Sequence, residues 1–130
     1  MSDWTVRNLR DVEDMAPRFG MTGVEARFAR LPLECEHVGL SLQRLGPGVR
    51  MPFGHRHGEQ EEVYVVLAGS GRVRLDDEYA DVAPWDAVRV SRSTMRAFEA
   101  GPDGLEFLAF GAPAGNEDAE MDPGWWPADT

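Results

Sequence analysis

Between Gly46 and Gly71 the chain reads GPGVRMPFGHRHGEQEEVYVVLAGSG. Two histidines, His55 and His57, stand one residue apart, ahead of the carboxylate pair Glu61 and Glu62. A strand-like run, Val63-Tyr64-Val65-Val66-Leu67, follows and closes on Gly69. In extended backbone, residues i and i+2 point to the same side. His55 and His57 are therefore expected to aim two imidazoles at one point, where a carboxylate from the next strand can join them. Two imidazoles and one carboxylate form a facial triad that leaves coordination positions open, and the set suits Fe, Mn, Ni or Zn. The plainer alternative is two surface histidines in a Gly- and Arg-rich loop.

Outward from this stretch the chain reads as short strands broken by turns. Upstream, Val38, Leu40 and Leu42 alternate with Gly39, Ser41 and Gln43 up to the turn Gly46-Pro47-Gly48, the pattern of a half-buried strand. Residues 1–35 read as a lead-in. Trp4 to Leu9 has strand character, one helical turn follows before Pro17, and Ala26 to Ala29 forms another short strand. Downstream, Arg72 to Leu75 and Glu78 to Val82 flank a charged hairpin turn. Pro84-Trp85-Asp86 then turns the chain into Ala87 to Val90, with the indole packed and Asp86 capping the turn. Met95 to Phe98 and Leu105 to Phe110 are separate strands divided by a turn at Gly101-Pro102-Asp103-Gly104. Strands at this spacing, without helical periodicity, predict an all-β antiparallel sandwich or barrel.

Composition limits the partners. At 130 residues the chain is one domain's worth, with 42% apolar and 28% charged residues. The formal net charge is −10, every basic residue is Arg, and none follows Arg96. Phosphate backbones and anionic membranes are bound by basic patches, so neither nucleic acid nor membrane is an expected partner. The opening MSDWTVRNLRDVED lacks an apolar leader core, and Cys35 is the single cysteine; a reducing cytoplasm is the expected compartment. Residues 111–130, GAPAGNEDAEMDPGWWPADT, are acidic and rich in Pro and Gly. Trp125 and Trp126 are costly to leave in water, so this tail is expected to pack on the barrel or on a second subunit.

With strands and motif placed together, the chain resembles a small single-domain cupin over roughly residues 36–110. The first cupin motif is met by Gly48, His55, His57, Glu62 and Gly69, with a spacer one residue longer than the commonest form; counting back from Gly69 selects Glu62 over Glu61. The second motif is degenerate: its proline, glycine and histidine correspond to Ser91, Ser93 and Arg96. The resemblance implies a double-stranded β-helix, a jelly-roll barrel with the metal site inside, often dimeric. Cupins include dioxygenases, decarboxylases, isomerases and non-catalytic binding domains, so the fold leaves the activity open.

The expected metal ligands are His55, His57 and Glu62, holding a divalent transition metal. Arg96 cannot ligate a metal, because a guanidinium stays protonated and only donates. Two readings follow. Either Arg96 holds an anionic or oxygen-rich small molecule beside the metal, in dioxygenase-like or isomerase-like chemistry, or it pairs with Glu62 in a metal-free binding or sensing domain. A cation close to a metal ion costs Coulomb energy unless an anion lies between them. Tyr64, Gln43 and Phe98 are the further candidate ligand contacts, and a homodimer is the expected assembly. Cys35 has no activating neighbour, and no nucleophile triad or phosphate loop is present.

Overall fold

The computed structural model describes residues 3–115 and 118–127. Residues 116–117 and 128–130 of the predicted tail, with residues 1–2, lie outside the described residues. In chain order the strands are β1 (Val24–Phe28), β2 (Gly39–Leu45), β3 (Gly54–Arg56), β4 (Glu61–Leu75), β5 (Glu78–Val82), β6 (Ala87–Val90), β7 (Arg96–Ala112) and β8 (Glu120–Asp122). All named strand pairings are antiparallel. The only α-helix among the described residues is the single turn Arg30–Leu33. No helix among them is long and apolar enough to cross a membrane.

Two long strands carry the architecture. The first half of β4 pairs with the second half of β7, from Glu61↔Ala112 to Val66↔Phe107, and β6 and β2 extend this sheet on either side. The second half of β4 pairs with the first half of β7, from Gly71↔Ala100 to Leu75↔Arg96, and there β5 and β3 extend it. The same two strands thus belong to both faces of a curled barrel.

Here the structure corrects the predicted turns. Gly69 and Gly101–Gly104 do not reverse the chain; they bend strands that continue. Register shifts fall between Val66 and Ala68 and between Gly69 and Gly71, and each such bulge sharpens the local twist. Gly69 has φ +79, and a Cβ there would lie 2.0 Å from the Gly104 carbonyl oxygen. Only glycine permits both that backbone conformation and that approach. The spacing from Glu62 to Gly69 is therefore the length of strand between that carboxylate and the bend.

Inward-facing residues from both faces meet between them. Tyr64, Val66 and Phe107 from one side pack on Val73 and Phe98 from the other, all at most 3% exposed. The Phe98 and Phe107 rings stack at 4.5 Å, and Tyr64 meets Phe98 edge-on at 4.9 Å. Burial of one such side chain contributes about 1.5–3 kcal/mol, so this cluster fixes how the two faces sit.

Two smaller expectations also fail. Trp4 to Leu9 forms no strand; Asn8 accepts a hydrogen bond from the Arg10 backbone N–H and starts a three-ten turn at Leu9–Asp11 instead. Trp85 does not pack. It adopts φ +73 and its side chain is 77% exposed, while Asp86 caps the turn by accepting from the Ala83 N–H at 2.9 Å.

Candidate metal centre

The site lies where β3, the start of β4 and the start of β7 converge. Pairing of His55 with Arg96 puts both side chains on one face of their sheet. His57, just past β3, is fixed by its backbone N–H, which donates to the Arg92 carbonyl at 2.7 Å. Glu62 enters from the other face, on β4 between Val90 and Gly111. One ligand atom from each of His55, His57 and Glu62 lies within 4.8 Å of the others. Glu62 Oε1 is 3.2 Å from His55 Nε2 and 3.3 Å from His57 Nε2.

Whether these residues fit a metal turns on His57. Its side chain is 3% exposed, and Nε2 is buried with no hydrogen-bond partner among the described residues; the Glu62 oxygen is close but lacks hydrogen-bond geometry. An unsatisfied buried ring nitrogen carries a desolvation penalty of about 1–3 kcal/mol. A metal ion between the two imidazoles and the carboxylate would relieve it. The donor set and the orphaned nitrogen therefore fit a divalent transition metal.

Glu62 is the electrostatic hub. Besides the two imidazoles, its Oε1 accepts from the Tyr64 hydroxyl at 2.7 Å and from Arg96 Nη2 at 2.7 Å. Among the described residues every one of these contacts falls on Oε1. Burial alone would raise the Glu62 pKa; the contacts with His55, His57 and Tyr64 outweigh it and hold the carboxyl far below its usual range. Burial works against a charged His57, yet the neighbouring carboxylates of Glu62 and Asp118 outweigh it and raise its pKa. The Tyr64 hydroxyl is pushed up by burial and by the charge of Glu62, so it stays a donor.

Arg96 is fully enclosed, at 0% exposure. Its Nε donates to the Tyr64 oxygen at 3.1 Å, Nη1 to the Thr94 carbonyl at 2.8 Å, and Nη2 to Glu62. Burial alone would lower its pKa, but Tyr64 and Glu62 raise it. Glu62 is thus the anion that separates the guanidinium from the histidines. Of the other candidate contacts, Phe98 lies in the core beneath Tyr64. Gln43 faces the barrel interior beside Phe107 and donates to Ser41 Oγ at 3.0 Å. Glu61 points outward to Arg89 at 3.4 Å. Gln60 is 3% exposed and donates to the Pro113 carbonyl.

The sequence gives no sign of one participant, Asp118. Its Oδ1 lies 3.0 Å from His57 Nδ1, and its Oδ2 accepts from the backbone N–H groups of Glu59 at 2.7 Å and Gln60 at 3.2 Å. Those backbone bonds, then His57, lower its pKa to about 2. A single carboxylate in an acidic tail carries no spacing signal toward a histidine 61 residues away. β8 delivers it: Gly54, His55 and Arg56 pair with Asp122, Met121 and Glu120, and Arg56 Nε donates to Glu120 at 2.7 Å.

The fold is that of the cupin jelly roll. No protein-family model matches the sequence, and no curated protein does. Solved structures match it throughout. A polyketide cyclase from Streptomyces resistomycificus superposes with a TM-score of 0.74 at 22% identity, over 96% of this chain and 88% of its own. A sugar phosphate isomerase of the cupin superfamily from Silicibacter pomeroyi gives 0.71 at 20% identity, over 85% and 76%. Oxalate decarboxylase from Bacillus subtilis gives 0.71 at 24% identity over 90% of this chain, which spans only 32% of that enzyme. Three different chemistries share one scaffold, so the likeness carries the fold and leaves the reaction to the residues.

Proposed function

We propose that this chain binds one divalent transition metal, Fe, Mn, Ni or Zn, through His55, His57 and Glu62, and acts there on an anionic or oxygen-rich small molecule. The observation that carries this reading is the buried, unpartnered Nε2 of His57, aimed at the space shared with His55 and Glu62. A metal held there supplies Lewis acidity or oxygen activation, as in isomerase-like or dioxygenase-like chemistry. The protein residues divide the remaining work. Arg96 and Tyr64 keep Glu62 ionised and fixed in direction. His55, at 24% side-chain exposure, is the ligand nearest to solvent and marks the side from which a small molecule enters. Gln43 and Phe98 shape the interior wall below.

A second reading is favoured by the Arg96–Glu62 ion pair, which already neutralises the carboxylate. In it the barrel is a metal-free binding or sensing domain. Metal analysis of protein purified without an affinity tag separates the two. The metal reading expects near-stoichiometric metal in the wild type and loss of it in His57→Ala. Protein that stays metal-free after incubation with Fe(II), Mn, Ni and Zn supports the second reading and sinks the first.

A further inference from the structure

We propose that Asp118 is a positioning residue of this centre: it keeps the proton of His57 on Nδ1, so that the Nε2 lone pair faces His55 and Glu62. The inference rests on the metal-binding reading above, but its first test does not. Asp118 touches all four consecutive positions leading from His57 toward Glu62. It meets His57 Nδ1 at 3.0 Å, and its backbone carbonyl accepts from the Gly58 N–H at 3.3 Å. Its Oδ2 takes the N–H groups of Glu59 and Gln60 at 2.7 and 3.2 Å.

The division between the two oxygens sets the tautomer. Oδ2 is committed to two backbone donors, which only an acceptor can satisfy. Oδ1 is then the atom facing His57, and a carboxylate oxygen requires a proton on the facing nitrogen. An imidazole that carries its proton on Nδ1 presents a free pair at Nε2, the atom found buried and unpartnered. The segment 57–60 folds around this single carboxylate, so the tail beyond β7 completes the loop that joins two of the three metal ligands.

Asp118→Asn is the informative change, because it keeps the size of the side chain. Its amide oxygen is needed by Glu59 and Gln60, which turns the NH2 group toward His57 and favours the proton on Nε2. The ring 15N shifts of His57 are read in metal-free full-length protein, at a pH where the imidazole is neutral. The wild type is expected to show Nδ1–H and the variant a shift toward Nε2–H, with Zn2+ affinity in the variant lower by about tenfold to a hundredfold. A wild type with Nε2–H overturns the proposal without any variant, which covers a variant that fails to fold. Unchanged tautomer and unchanged Zn2+ affinity in a folded Asp118→Asn protein also overturn it. Wild-type protein that shows Nδ1–H and takes up no Zn2+ upholds the tautomer assignment and counts against the metal reading alone.

Discussion

Glu62 Oε1 receives an arginine, a tyrosine hydroxyl and two imidazoles, and this crowding defines what each neighbour is worth. Removing one partner of a buried ion pair strands the other charge and costs about 3–5 kcal/mol. Arg96→Met is therefore expected to destabilise the fold by that amount in denaturant unfolding. Arg96→His is the gentler change. It can still donate to Glu62, and it offers a fourth ligand, a third nitrogen, so Zn2+ titration should show tighter binding than wild type. Unchanged affinity would mean that position 96 does not reach the metal. At this scale the sequence is legible where chemistry and spacing coincide: His55 and His57 share a side because they are two residues apart in extended chain. Asp118 is illegible for the converse reason, since its partnership depends on β8 folding back beside β3.

Among the elements, β4 and β7 are bound to their surroundings by Glu99 as well as by backbone. Glu99 Oε1 accepts from Arg72 on β4 at 2.7 Å, and its Oε2 accepts from Arg50 in the segment before β3. Burial raises its pKa, but the hydrogen bonds from Arg50 and Arg72 outweigh this and set it below the ordinary value. A carboxylate depressed in the folded state stabilises it fully above its unfolded pKa of about 4.3, and the contribution fades as pH falls toward the folded value. Glu99→Gln should lower stability near neutral pH by about 1–2 kcal/mol. It should also flatten the decline of the thermal midpoint below about pH 4.5 relative to wild type; parallel pH profiles for the two proteins would refute this. The strands themselves were legible from alternation and from their turn residues. Their continuity was not, because a glycine with positive φ serves a reversal and a bend equally well. Only the paired strand, whose carbonyl at Gly104 closes on Gly69, shows which it is.

For the molecule as a whole, the tail after β7 is part of the barrel wall. Trp126 Nε1 donates to the Met51 carbonyl at 2.8 Å, and the Arg74 guanidinium lies 4.1 Å from the centre of the Trp125 ring. A Cβ on Gly54 would sit 2.6 Å from Trp125, so the indole lies directly on the β3 backbone. Replacing both residues, Trp125→Ala with Trp126→Ala, is expected to lower the thermal midpoint by roughly 5–10 °C. The remaining tryptophans, Trp4 and Trp85, are 75% and 77% exposed, so emission should shift to the red. A variant with wild-type midpoint and emission would show that the tail contributes nothing. Composition alone argued that two indoles would seek cover. That the cover lies beside β3, with the Asp118 side chain brought to His57, depends on contacts no linear pattern encodes.

The shared spine has a consequence for assembly. Along β4 and β7 the innermost pair, Leu75↔Arg96, is closest in sequence and the outermost, Glu61↔Ala112, is farthest apart. The entropy lost in closing each pair grows with the chain between its partners. Arg96 belongs to the cheap end of this zipper and Glu62 to the expensive end, yet their side chains meet. That ion pair joins the first tooth to the last but one, so neither end of the spine can open alone without exposing a buried charge.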